Sequence, residues 1–281
     1  MQHSIITSIK DLFMAIQKQY TLITGGSGGI GYELAKLFAA DKHNLVLVSR
    51  HQAALDRVAA ELRQQHDIDV ITLATDLFNV DNAYALHKDL QSRNVKVNIL
   101  VNNAGQGLYG EFSETELQRE LDIIQLNISS LIVLTKLFLQ DMLQQGQGKI
   151  LNLSSIASRL PGPWQSVYHG TKAFVQSFTE AIREEVKDKN IVVTALLPGA
   201  TQTDFFRKAG MLQSKTVQEG KLAPADEVAK AGYDALMKGD DKVVAGALNK
   251  IQTAIAAITP DDKLAAKVYD QQAPVGHDDK K

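Results

Sequence analysis

YTLITGGSGGIG, residues 20 to 31, runs from a β-favouring apolar segment through a glycine-dense turn into the helical pattern GYELAKLFAA. The order is strand, loop, helix. Gly25, Gly29 and Gly31 fit the form TGxxxGxG. Glycines at such positions permit a tight turn, let backbone approach a pyrophosphate, and allow the helix to pack close to the strand. The amino end of that helix then faces the anion. A glycine cluster alone is often only a linker, and what makes this one a dinucleotide signal is its place between strand and helix. No GK[ST] ending follows, so a P-loop is disfavoured.

Outward from this stretch, apolar β-rich runs alternate with helical segments: 44–49, 69–74, 97–102, 149–153, 191–197 and 242–245 join 20–24. Their hydrophobicity is continuous rather than alternating, as expected of strands buried on both faces. The predicted fold is therefore α/β: a Rossmann-type, doubly wound parallel sheet of seven strands with helices on both faces. Ligands of such sheets lie beyond the carboxyl ends of the strands, near the switch in strand order. Residues at those ends include Gly25, Ser49 with Arg50, Asp76, Asn102 to Gly105, Ser155, and Pro198 with Gly199.

One of these ends precedes the chemistry. In SVYHGTKAF, Tyr168 and Lys172 stand one helical turn apart, with Ser155 closing the apolar run upstream. On a helix the two side chains share a face, so an ammonium beneath a phenol is expected to favour the phenolate. That would make a group of ordinary pKa about 10 usable as an acid near neutrality. Tyr and Lys at this spacing are usually just an amphipathic edge, so the pair gains meaning only from its companions. His169, between them, is expected to point away from their common face.

With these motifs in this order, the sequence resembles the short-chain dehydrogenase/reductase family from about Tyr20 to Pro198, and more weakly to Ala245. The glycine motif spans Thr24 to Gly31, including Ser27 and Ile30. Asp76, with Leu77 after it, resembles the position that contacts adenine, although it could also simply cap the next helix. Asn102, Asn103, Ala104 and Gly105 form the family's NNAG signature. Asn127 in ELDIIQLNISSLIVL matches its helix asparagine, Ser155, Tyr168 and Lys172 its catalytic residues, and Pro198, Gly199 and Thr203 its PGxxxT beside the nicotinamide.

The resemblance implies an oxidoreductase. Tyr168 would be the general acid/base and Ser155 would polarise the carbonyl oxygen. Lys172 would lower the phenol pKa and bind the ribose, and Asn127 would hold a water that relays protons. At the end of the second run Ser49 stands where the family's carboxylate would hold a ribose hydroxyl, and Arg50 follows, which favours NADP(H) over NAD. Expected ligands are this cofactor and a carbonyl or alcohol substrate in a fairly apolar pocket, for which Leu108, Tyr109, Leu160, Trp164, Phe205 and Phe206 are candidates. Rival readings are a catalytically silent dinucleotide sensor and an epimerase or dehydratase of the extended family. The second wants a larger domain than the roughly 80 residues beyond Pro198 provide.

The chain has 281 residues, a formal charge of -2 and no cysteine. One large domain is expected at this length. The balanced charge argues against a nucleic-acid partner, and the missing thiols exclude disulfides and cysteine metal sites. The seven histidines show no metal-binding spacing, so no metal is expected. Ile5, Ile9, Leu12, Phe13 and Ile16 mark an amphipathic helix over residues 1–18 without a secretory cleavage pattern. No stretch reads as long enough to span a bilayer, and a cytoplasmic protein is expected. The domain should run from 19 to 250, with 205–222 as a mobile cover over the pocket. Residues 251–281 should form a helical extension that frays after Pro274. Apolar stripes of Leu131, Leu134 and Phe138, and of Val175, Phe178 and Ile182, pack either internally or against a twin, and a homodimer or homotetramer is expected.

Overall fold

The computed structural model describes residues 18–256 and 258–277. The helix expected over 1–18 lies outside them, apart from Lys18. Seven parallel strands form one sheet in the order β3-β2-β1-β4-β5-β6-β7. They are β1 (Gln19–Thr24), β2 (Asn44–Ser49), β3 (Val70–Ala74), β4 (Lys96–Asn102), β5 (Gly148–Leu153), β6 (Ile191–Leu197) and β7 (Lys242–Val244). Each run expected from the sequence is a strand, with ends within about a residue or two of the expected ones. The chain winds outward from β1 to β3, then crosses back to place β4 beside β1. The switch point therefore lies between the carboxyl ends of β1 and β4.

Helices cover both faces because each carries one apolar stripe. On one face α1 (Gly29–Ala40), α2 (Gln52–His66) and, later in the chain, the helix Ala225–Lys238 bury Leu34, Phe38, Leu55, Leu62, Val228 and Leu236. On the other, α3 (Val80–Ser92), α4 (Leu117–Gln145) and α5 (Ser166–Val186) bury Leu86, Leu90, Leu134, Phe138, Met142 and Ile182. Phe38 and Phe138 are 0% and 1% exposed; burying a side chain of this size contributes about 1.5–3 kcal/mol.

The expected stripes of α4 and α5 pack within the chain. Leu131, Leu134, Phe138, Val175 and Ile182 are all buried, which leaves a stacked Phe174–Phe178 pair nearer the surface. Contrary to the expectation that no segment could span a bilayer, the 29-residue α4 is long and apolar enough to do so by length and composition, and half of its most apolar stretch is buried in the fold.

The region 205–222, expected as a mobile cover, carries short helices. It contains α6 (Phe205–Ala209) and α7 (Lys215–Gln218) and packs Phe206, Ala209 and Met211 into a small core. After α8 (Ala225–Lys238) and β7 come α9 (Ala247–Ala256) and α10 (Asp261–Gln272). The chain beyond α10 is held rather than frayed as far as His277. Lys215 N donates to Ala273 O, Val275 N to Gln213 O, and Ser214 pairs with Pro274 as an isolated antiparallel bridge. Ala273 is 0% exposed. Sequence polarity missed this because backbone hydrogen bonds, not apolar side chains, fix the segment.

Candidate active site

The carboxyl ends of the strands open onto one cleft of about 1290 Å³. At its β1 end, Gly25 and Gly29 have φ of +68° and +54°, the left-handed region that favours glycine. A Cβ on Gly31 would lie 2.4 Å from both the Gly25 carbonyl and Asn103 Nδ2, so no larger residue fits between helix and strand. Asn103 fastens this loop to β4: its Nδ2 donates to Thr24 O at 2.8 Å and to Gly25 O at 3.2 Å. Thr24 Oγ1 in turn accepts from the amides of Asn103 and Ala104, both at 3.0 Å.

Among the expected cofactor residues, Gly25, Ser27, Gly29, Ile30, Ser49, Arg50, Asp76, Leu77, Asn103, Ala104, Gly105, Tyr168, Lys172, Pro198, Gly199 and Thr203 line the cleft. Thr24 and Gly31 stand behind it as the loop's supports. Asp76 does not cap α3. Its Oδ1 accepts from Phe78 N at 3.1 Å, and Asn79 makes the cap by accepting from Asp81 N. Ser49 Oγ is buried with no hydrogen-bond partner, and the exposed Arg50 guanidinium lies 5.0 Å from the Phe78 ring centroid. A buried orphan hydroxyl beside an available cation, next to a glycine cradle, fits a phosphorylated ribose of a dinucleotide.

The next section of the cleft stands on a buried polar ladder. Asn102 Nδ2 donates to Thr135 Oγ1 and Asn152 Oδ1, both at 2.9 Å, and Asn152 Nδ2 donates to Thr179 Oγ1 at 3.0 Å. These bonds lock β4 and β5 to α4 and α5. Ser154 Oγ, at the end of β5, donates to Lys172 O, tying the serine turn to the helix that carries Tyr168.

Ser155, Tyr168 and Lys172 line the cleft together. Lys172 is 6% exposed, and its Nζ donates to Leu153 O at 2.8 Å and lies 5.8 Å from the Tyr168 ring centroid. Burial pushes the Tyr168 phenol up to about 12, opposed by its hydrogen bond with Ser155, and burial pushes the Lys172 ammonium down to about 8. Both shifts run opposite to the acidification expected from Lys172, because desolvation disfavours the charged form of both groups, and what opposes it at the phenol is Ser155.

Asn127 is 1% exposed and does not line the cleft. It sits in a π-helical turn, Gln125–Ser130, within α4, a local widening common at functional sites. Its Nδ2 donates to Gln106 O and Thr171 Oγ1, and its Oδ1 accepts from Gln106 N. It braces the loop after Gly105 against α5, and one Oδ1 lone pair remains for the water the resemblance implies.

Leu160, Phe205 and Phe206 line the substrate end of the cleft, whereas Leu108, Tyr109 and Trp164 do not. Tyr109 and Trp164 stack at 5.6 Å behind it, and Tyr109 OH donates to Gln272 O. Trp164 holds a φ of +67°, a strained conformation for a bulky residue, where it also packs against Tyr269. Phe205 lies 5.1 Å from the Tyr168 ring. His169 lines the cleft, but as expected its ring nitrogens turn from Tyr168 and Lys172, toward Leu160 O and Gln272. Sequence reasoning also missed Gln165, Asn249 and Gln272 in the lining. Gln165 precedes Tyr168 closely enough to have been considered, but nothing marks the other two. Among the described residues no group of acidic or histidine side chains could hold a metal.

Fold and cleft together define a Rossmann-type site in which a glycine cradle and Ser155, Tyr168 and Lys172 share one cleft. The short chain dehydrogenase family model matches residues 19–213, and the chain belongs to that family. It is similar to the very-long-chain 3-oxoacyl-CoA reductase of Rattus norvegicus, 35% identical over 186 residues, which are 64% of this chain and 58% of that protein. It is also similar to dehydrogenase/reductase SDR family member 7B of Mus musculus, 30% identical over 79% of this chain and 72% of that protein. The match thus spans under three fifths of the rat reductase. Among solved structures, a short-chain dehydrogenase from Sphingobium yanoikuyae in complex with NADPH superposes with a TM-score of 0.76 at 29% identity, covering 86% of this chain and 96% of that one.

Proposed function

We propose that this protein transfers hydride between NADP(H) and a carbonyl compound or secondary alcohol, with Tyr168 as general acid and base. The observation that carries the reading is the convergence of Ser155, Tyr168 and Lys172 on the same cleft as a glycine cradle. Gly25, Gly29, Gly105, Asp76 and Thr203 would hold the dinucleotide, and Ser49 with Arg50 would favour a 2'-phosphate. When bound, that group supplies the hydride. Ser155 Oγ, which here donates to Pro198 O, would turn to donate to the substrate oxygen, and Tyr168 would deliver the proton that an alkoxide requires. Lys172 holds positive charge beneath the phenol and is the donor available to ribose hydroxyls. Phe205, 5.1 Å from the Tyr168 ring, would help exclude water from the reacting side. Similarity to an NADPH complex and to an oxoacyl reductase supports the direction of carbonyl reduction.

The test is a screen of ketones, aldehydes and quinones with NADPH and NADH. Tyr168→Phe should reduce turnover about 10²–10⁴-fold while dinucleotide binding persists. Turnover that survives this substitution unchanged refutes the proposal. Dinucleotide binding with no turnover of any substrate would favour the sensor reading instead.

A further inference from the structure

We propose that Gln165 and Gln272 form a hydrogen-bonding subsite for a second polar group on the substrate. The preferred substrate would then be a ketone, or the alcohol it yields, that also carries a hydroxyl or secondary amide. The inference rests on the function proposed above and narrows its substrate class.

Both side chains line the cleft that contains Tyr168, and they are only 5% and 9% exposed. Yet Gln165 Nε2 and Gln272 Oε1 are buried with no hydrogen-bond partner among the described residues. Buried amide atoms are almost always paired, so two orphans facing one ligand cleft point to a ligand. Gln165 is the residue just before α5, the helix of Tyr168, and its side chain makes no capping bond there. Its Nε2 lies 3.2 Å from where a Cβ on Gly107 would stand, and Phe205 Cζ lies 2.8 Å from the same point. The donor is thus on the Phe205 side of the cleft, where the Tyr168 ring also packs.

Gln272 comes from the other end of the chain, as the last residue of α10. Its orientation is fixed by His169. The imidazole Nδ1 lies 2.9 Å from Leu160 O, and a carbonyl can only accept, so Nδ1 carries the proton. Burial lowers the His169 pKa, which keeps the ring neutral. Its Nε2 therefore accepts, and the Gln272 group 3.1 Å away must be the NH₂, which turns Oε1 out as an acceptor. His169 is in this sense a positioning residue. The subsite offers one donor and one acceptor, which a hydroxyl or a secondary amide matches and a hydrocarbon leaves unpaired. Sites built to bond a polar substituent discriminate strongly against the analogue that lacks it.

The experiment compares ω-hydroxy-2-ketones of roughly four to eight carbons with plain 2-ketones of equal length. Relative kcat/KM is measured on the wild-type protein, and binding is measured by calorimetry on Tyr168→Phe with NADP⁺. At the best length the hydroxyketone should be favoured about tenfold or more. Gln165→Met and Gln272→Met should each remove most of that advantage while leaving the plain ketone within about twofold; a merely structural role would move both members of the pair alike. Gln165→Met breaks no side-chain hydrogen bond to the described residues, so it remains decisive if Gln272→Met loosens α10. No preference at any length, or a preference that survives both substitutions, overturns the subsite. Absent turnover with the calorimetric preference intact would instead refute the proposed function and leave the subsite standing.

Discussion

Lys172 should destabilise the protein that carries it, and Lys172→Met measures by how much. Burial lowers its pKa from 10.5 to about 8. At about 1.4 kcal/mol per pH unit, that difference amounts to about 3 kcal/mol of unfavourable folding energy wherever the lysine is charged in both states. Methionine keeps the length and the apolar stem but loses the bond to Leu153 O, worth about 1 kcal/mol. The dinucleotide-free variant should therefore be about 2 kcal/mol more stable than wild type at pH 7.

The sign follows from proton counts. Below pH 8 the folded protein carries the whole penalty. Between about 8 and 10.5 the unfolded chain binds more protons than the native state, so wild-type stability recovers relative to the variant. By pH 10.5 the advantage should have vanished. Urea unfolding of both proteins at several pH values reads this directly, and differences between them cancel the titration of groups they share. A variant that is less stable at pH 7, or an advantage that does not change with pH, would refute the account of Lys172 as a desolvated cation. If the account holds, Lys172 is an example of stability given up for activity.

Arg50→Ala should lower the preference for NADPH over NADH in kcat/KM by about tenfold or more, with no change in thermal midpoint; an unaltered ratio would make Arg50 an ordinary surface charge. Gly31→Ala drives a methyl group against the Gly25 carbonyl and Asn103. It should destabilise the fold by about 1–3 kcal/mol and weaken dinucleotide binding measured by NADPH fluorescence. Affinity equal to wild type would show that the loop yields more easily than its packing suggests.

The sequence alone determined the sheet, because strands buried on both faces must be continuously apolar, and Leu45–Val48 or Val193–Leu197 (interrupted only by Thr194) can be little else. It also determined the strand ends that hold Gly25, Asp76 and Ser155, since spacing along the chain decides which residues follow a strand. A cover over the pocket at 205–222 was also legible, but what fastens it to the end of the chain was not. That fastening depends on main-chain bonds between residues 213–215 and 273–275, on the bond that Thr216 Oγ1 donates to Gln271 O, and on the meeting of His169 with Gln272, contacts between segments that no local period or motif connects. Nor could spacing decide the electrostatics of Tyr168 and Lys172. Placing a cation and a phenol one turn apart suggests mutual attraction, but the fold buries both so deeply that the loss of water sets the direction of both shifts.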